Sequence, residues 1–377
     1  MAATRLEEEV GVWLVYNIVI GTLKKIFRNI QLIFKFLLHF GQNQEYMGLA
    51  VLQKTDINKI LILRFGALGD VVHTTGLFRS LKELKPNLSI HYLTFKEASL
   101  LIENDSDLDK VWIAPNKSYK CLLSFANMLK KEGFDLFINL QPSARTRVFS
   151  GFLNAGKTLT YKKDFSLHAV ENFGGTVKSI FRDIKLKENL KLYLSKESLE
   201  NADLLLPAKI KKVAFIMETN PVRQGRCWPV EHWLSLAESL VKKYDCEIVL
   251  TGTAKNIENA DKIVSALEKV KSFCGKLNIA ESSALLSKCS LVISGDTGPL
   301  HISTALGVPA IGLYGSSPVS RTGPWGQNCY TLSSSLKCVP CNRRKCKFLQ
   351  KGEFYTPCMK AISPAMVLNL IVKNKLL

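Results

Sequence analysis

From Asn58 onward, short runs of aliphatic and β-branched residues alternate with longer segments whose apolar positions recur every three or four residues. Lys59–Phe65 (KILILRF), Ser89–Thr94, Lys110–Ile113 and Asp135–Leu140 read as strands. Helices are expected over Asp70 to about Leu84 and about Tyr119–Glu132. A polar stretch around Leu194–Pro207 reads as a helix and linker, after which the pattern restarts. Strands are then expected at Lys212–Met217, Glu247–Thr251, Ser290–Ser294 and Ala310–Tyr314. Between them lie helices at about Val230–Lys243, Ile257–Leu267, Ala280–Ser287 and Pro299–Leu306. Strand–helix alternation implies a parallel sheet covered on both faces. A chain of 377 residues accommodates two such doubly wound units, with a ligand crevice where their strand ends face each other.

Residues 10–40 follow a different pattern. Val10–Leu23 is mostly apolar, and then Lys24, Lys25, Arg28 and Lys35 interleave with bulky apolar residues. A spanning helix needs roughly 20 apolar residues with few charges, and this run breaks sooner. Such a mixture describes an amphipathic helix lying among lipid headgroups. A helix packed on the protein's own core and a true span are the alternatives.

Charge changes the picture more than overall composition does. Lys and Arg outnumber Asp and Glu by 51 to 32, a net charge of +19. That excess favours anionic partners: nucleic acid, acidic headgroups or phosphorylated substrates. No aromatic–basic stacking platform supports nucleic acid, which ranks last. The acidic start (Glu7, Glu8, Glu9) and the lack of a small-residue cleavage site argue against a cleaved signal peptide, so a reducing compartment is expected. Of ten cysteines, Cys338, Cys341, Cys346 and Cys358 form a C-x2-C-x4-C-x11-C set. Four thiolates could hold tetrahedral zinc, but the paired knuckles of zinc ribbons are missing, and packed or redox-active thiols are the expectation.

Three segments could carry chemistry. In Arg64–Phe65–Gly66–Ala67–Leu68–Gly69–Asp70, two glycines between strand and helix permit a close backbone approach. Asp70 is there either a helix cap or a general base facing the crevice. In Ser294–Gly295–Asp296–Thr297–Gly298–Pro299–Leu300–His301, a helix opening with Pro299 near its first position offers free N–H groups to a diphosphate. The alternative is a helix capped by Asp296 with His301 merely packed. Arg223 and Arg226, ahead of Trp228–Pro229, could neutralise a departing diphosphate or form a solvated basic loop.

Together these residues resemble the bacterial heptosyltransferase family, glycosyltransferase family 9, whose members extend the inner core of lipopolysaccharide. The resemblance runs through ILILRFGALGDVVHTTGLFRSLKELKPN and, more specifically, through the order Asp-Thr-Gly-Pro-x-His, Ala-Leu-Gly-x-Pro and Leu-Tyr-Gly. Arg226-x-Trp228-Pro229 resembles the family's basic-x-Trp-Pro signature, and CVPCNRRKC…CMKAISP a family tail. The resemblance covers roughly residues 57–370. It implies a GT-B architecture, two facing Rossmann-like doubly wound domains; the extra N-terminal helix lies outside the resemblance and rests on composition alone. The expected boundaries are 1–45 for the membrane-associated helix, 56–205 for the acceptor-binding domain and 206–377 for the donor-binding domain.

The resemblance further implies inverting, metal-independent transfer of a heptose or related sugar from a nucleotide-diphosphate donor, ADP-heptose, to a lipopolysaccharide core acceptor, without a cofactor. Asp70 matches the catalytic base. Thr297, Gly298 and His301 match donor-diphosphate contacts, with Asp296 beside the donor sugar and Arg226 beside the phosphates. Glu258 falls near a glutamate that holds the nucleoside, and Gly66 and Gly69 form the close-approach loop on the acceptor side. The expected location is cytoplasmic, peripheral at the inner membrane's cytoplasmic face. A sugar-nucleotide epimerase of the same architecture and a non-catalytic nucleotide- or membrane-binding relative are the rival readings.

Overall fold

The computed structural model describes residues 57–186, 190–207, 210–217 and 221–377. The expected N-terminal helix within residues 1–45 lies outside them. Two wholly parallel sheets organise the described chain. The first comprises β1 (Lys59–Leu63), β2 (Ser89–Thr94), β3 (Lys110–Ile113), β4 (Leu136–Asn139) and β5 (Lys157–Thr160), in the order β3-β2-β1-β4-β5. The second comprises β6 (Lys212–Ile216), β7 (Glu247–Thr251), β8 (Val270–Ser272), β9 (Leu291–Gly295), β10 (Ala310–Tyr314) and β11 (Cys329–Ser333), in the order β11-β10-β9-β6-β7-β8.

Both faces of each sheet are buried, which is why the central strands read as continuous apolar runs. In β1, Ile60 and Ile62 join the cluster beneath the helix Leu68–Leu84, while Leu61 and Leu63 join the opposite cluster with Leu122 and Phe149. In β6, Val213 and Phe215 face Trp233 and Leu236, while Ala214 and Ile216 face Leu285 and Leu300. The C-terminal helix Pro364–Asn374 closes the second unit, seating Val367 and Ile371 in the cluster that holds Trp233.

Three strands and six helices escaped the sequence pattern, three of the helices being single turns (Lys96–Ser99, Val319–Thr322 and Pro357–Lys360). β5, β8 and β11 are edge strands with half-exposed residues, so no long apolar run marks them. Helices Ala144–Leu153 and Ala169–Gly175 are set by capping boxes, Ser143 with Thr146 and His168 with Glu171, and Pro364–Asn374 by a Ser363 cap. Among the described residues no helix is long and apolar enough to cross a membrane.

Candidate active site

Each sheet reverses its strand order once, between β1 and β4 in the first and between β6 and β9 in the second. Loops diverge at such a point and leave a crevice at the strands' carboxyl ends. The loop after β1 is tied to that after β4: Arg64 Nη1 donates to Leu140 O at 2.6 Å and Phe65 N to Gln141 Oε1 at 2.9 Å. In the second sheet the loops after β6 and β9 nearly touch, since a Cβ on Gly295 would lie 2.4 Å from Arg226 O.

The helix after β1 spans Leu68–Leu84, beginning two residues before Asp70, with Ala67 as an N-cap that makes no side-chain bond. Asp70 is therefore in the first turn and does not cap the helix. Its carboxylate forms a short ion pair with the Arg64 guanidinium, whose other side lies 5.2 Å over the Phe173 ring. Gly66 (φ +154°) adopts a backbone conformation that favours glycine, with nothing within 4 Å of a Cβ placed there.

The helix after β9 spans Gly298–Ala305, with Thr297 as N-cap; Asp296, the cap under the alternative reading, lies one residue outside it. The Thr297 hydroxyl is 2.9 Å from Ser294 Oγ and makes no capping bond, so the first-turn amides have no side-chain acceptor. Asp296 is buried and bound to Arg226 instead. Nη2 of Arg226 sits 2.6 Å from Asp296 Oδ2, Nη1 donates to Asp296 O at 2.7 Å, and Nε to Ser317 Oγ at 3.1 Å. His301 Nε2 lies 3.8 Å from Asp296 Oδ1. Burial pushes the Asp296 carboxyl up, but His301, Arg226 and Ser317 together hold it below the usual carboxylate range. Trp228 anchors the Arg226 loop by donating Nε1 to Ile362 O at 2.7 Å and packing edge-on to Trp233.

The two uncapped helix starts meet. A Cβ on Gly69 would lie 2.7 Å from His301 Cδ2 and 3.4 Å from Gly298 Cα, and one on Gly298 3.3 Å from Gly69 N. Gly69, expected in a close-approach loop, has the other half of the protein packed against it. Ile302 and Ala305 extend the contact into the apolar cluster of the first sheet.

The site thus unites Asp70, Gly69, Arg226, Asp296, Thr297, Gly298 and His301. Glu258 stays apart: it lies in the first turn of the helix after β7, paired with Lys262 at 3.0 Å, its side chain 84% exposed. Three further groups were not singled out from sequence. The buried His73, one turn beyond Asp70, lies 4.4 Å ring to ring from His301 and 5.5 Å from His168, which stacks on Trp325 at 4.4 Å. Arg321 donates to Asp164 O at 2.6 Å and to Tyr161 Oη at 3.1 Å. Lys163 Nζ and Arg321 share the Phe165 ring at 4.5 and 5.2 Å. Burial and the charges of Arg321, Arg64 and Arg223 push the Lys163 ammonium down, against the pull of Asp70. Lys163 and Arg321 sit outside regular strands, where periodicity is silent; the one legible signal was His73 in the Asp70 helix.

All ten cysteines are free. Cys338, Cys341, Cys346 and Cys358 line one cavity of about 680 Å³. Among the described residues no group of three or more His, Cys, Asp or Glu is arranged to hold a metal ion.

Burial, then the neighbouring His301 and His168, lower the His73 pKa well below its usual 6.5; burial also lowers His168, and takes His91 to about 4. Depressed imidazoles stay neutral when folded but bind protons when unfolded. Stability is therefore complete above about 6.5 and falls as the pH drops towards the folded values. Thermal unfolding should show a midpoint that declines between pH 7 and 5, with a shallower decline for His73→Gln. A flat wild-type profile would contradict this.

Two facing doubly wound domains, with uncapped helix starts meeting between them, define a GT-B architecture. Residues 122–351 match the model of glycosyltransferase family 9 (heptosyltransferase). The chain belongs to that family and is a glycosyltransferase. It is 23% identical over 291 residues to the lipopolysaccharide core heptosyltransferase OpsX of Haemophilus influenzae, covering 71% of this chain and 81% of that one. It is 25% identical over 318 residues to lipooligosaccharide heptosyltransferase 2 of Campylobacter jejuni, covering 80% and 93%. In fold it is similar to a family 9 glycosyltransferase from Veillonella parvula (TM-score 0.72, 20% identity, 86% and 98% covered). It is also similar to ADP-heptose lps heptosyltransferase II of E. coli (TM-score 0.69, 20% identity, 84% and 99% covered). Family membership sets aside the epimerase reading.

Proposed function

We propose that the chain transfers heptose from ADP-heptose to a lipopolysaccharide core acceptor by a single inverting displacement. The observation that carries this reading is the meeting of two uncapped helix starts at Gly69 and Gly298, with Asp70 on one side and Arg226, Asp296 and His301 on the other. Asp70 takes the proton from the acceptor hydroxyl as its oxygen bonds the anomeric carbon. The bond from that carbon to the β-phosphate oxygen breaks, and its electron pair leaves on ADP. Negative charge then grows where the amides of Thr297 and Gly298 and the N-terminus of the helix Gly298–Ala305 can receive it, with the Arg226 guanidinium beside them. Asp296 holds Arg226 in place and faces the donor sugar with His301. Glu258, at the carboxyl edge of the same sheet, is assigned to the nucleoside.

Lys163, Arg321 and Arg64 form a cationic strip linked through Phe165, Tyr161 and Phe173. We assign it to the acceptor's anionic groups. Lys163→Ala should raise the acceptor KM about tenfold, the loss of one charge-assisted contact, with the ADP-heptose KM unchanged. An unchanged acceptor KM would remove Lys163 from this role. Residues 10–40 and the net charge of +19 support a site of action at the cytoplasmic face of the inner membrane.

The deciding experiment is ADP release from ADP-heptose with and without a heptose-deficient lipopolysaccharide core. Acceptor-dependent release supports the assignment; no release with ADP-heptose overturns the sugar, and a panel of other nucleotide sugars follows.

A further inference from the structure

Residues 336–351 carry Lys337, Arg343, Arg344, Lys345, Lys347 and Lys351 and no acidic residue. All six are exposed, and none forms an ion pair among the described residues. Phe348 stands 62% exposed among them and Leu336 38% exposed. An exposed basic segment costs little in water, but a large aromatic held in solvent among six uncompensated cations is the composition of a surface that meets an apolar phase behind a layer of anions. The segment is also fixed in place: Asn342 N donates to Ser316 O at 2.7 Å, and Ser316 N to Gly225 O at 3.1 Å. Its anchor is thus one residue from Arg226 and one from that residue's partner Ser317.

We propose that residues 336–351 dock on the anionic headgroups of a lipid bilayer, with Phe348 inserting between them. The inference rests on the membrane-surface reading given above and adds a second contact, in a different part of the chain from residues 10–40. Docking through a segment tied to the Arg226 loop would hold the crevice at the bilayer surface, where a lipid-linked acceptor lies.

The test is sedimentation of the full chain with vesicles of phosphatidylcholine alone and of phosphatidylcholine with phosphatidylglycerol, at low and high salt. Wild type should bind only the anionic vesicles, and less at high salt. Arg343→Gln/Arg344→Gln/Lys345→Gln should weaken binding on the order of a hundredfold, from the usual contribution of each basic residue at an anionic surface. Phe348→Ser should weaken it about tenfold. Both variants change exposed residues, and an unchanged thermal midpoint confirms that they fold. A comparison variant, Lys24→Glu/Lys25→Glu/Arg28→Glu, separates the two readings. Wild-type vesicle binding by the triple-Gln variant overturns docking through this segment, and if the N-terminal variant then fails to bind, the membrane reading survives without it. No binding by wild type overturns both. Loss of oligonucleotide binding with vesicle binding intact assigns the segment to nucleic acid and overturns the proposal.

Discussion

Asp70→Asn is expected to lower kcat by about 10²–10⁴-fold, the usual contribution of a positioned base. The carboxamide preserves shape and can still meet the Arg64 guanidinium, but it cannot accept the acceptor's proton. The side chain is about one-third exposed (35%), so losing its ion pair should cost little stability, and ADP-heptose affinity should remain near wild type. Single-turnover ADP release in the presence of acceptor reads the effect directly. Turnover near the wild-type rate would reduce Asp70 to a partner of Arg64 and leave the displacement without a base.

Arg226→Met should damage both folding and donor binding. Asp296 is buried (side chain 4% exposed) and receives two contacts from this one guanidinium, on its carboxylate and on its carbonyl. Removing the cation leaves a buried carboxylate facing only His301 and Ser317, at a cost of ~3 kcal/mol, the low end for a broken buried pair because Arg226 itself is 22% exposed. Thermal or denaturant unfolding should register that loss, and ADP-heptose KM should rise. Arg226→Met/Asp296→Asn separates the effects, since it removes the stranded charge. Most of the stability should return while activity does not. If the double variant were as unstable as the single one, Arg226 would be acting through packing and not through its charge.

The central strands were legible because burial on both faces makes them aliphatic at every position. Ser89–Thr94, Glu247–Thr251 and Ala310–Tyr314 fall within the expected bounds, as does the edge strand Lys110–Ile113. The other edge strands were not legible, since Lys157–Thr160 (KTLT) alternates half-buried and exposed residues. Among the candidate site residues, Asp70 and the segment Asp296–His301 stood out because glycines and a helix start surround them. Their local roles were less legible. Asp is a favoured cap, yet Asp70 falls inside its helix and Asp296 one residue before the cap of its own, and an arginine claims each carboxylate. Whether Arg64 and Arg226 would reach them depends on how loops from different strands cross, which no local pattern encodes. The same holds for Lys163 and Arg321, which meet over Phe165 from segments about 160 residues apart.

Two backbones bear directly on one another at Gly69 and Gly298, and under the proposed assignment this makes the reaction centre a fulcrum. When two rigid halves turn about a point, displacement grows with distance from it. Atoms far along either helix would travel farthest, whereas the proposed base on one half and the proposed phosphate cradle on the other would hardly separate. Such a geometry lets the outer crevice widen to admit a bulky lipid-linked sugar and release its product, while the alignment on which the chemistry depends is kept from one turnover to the next.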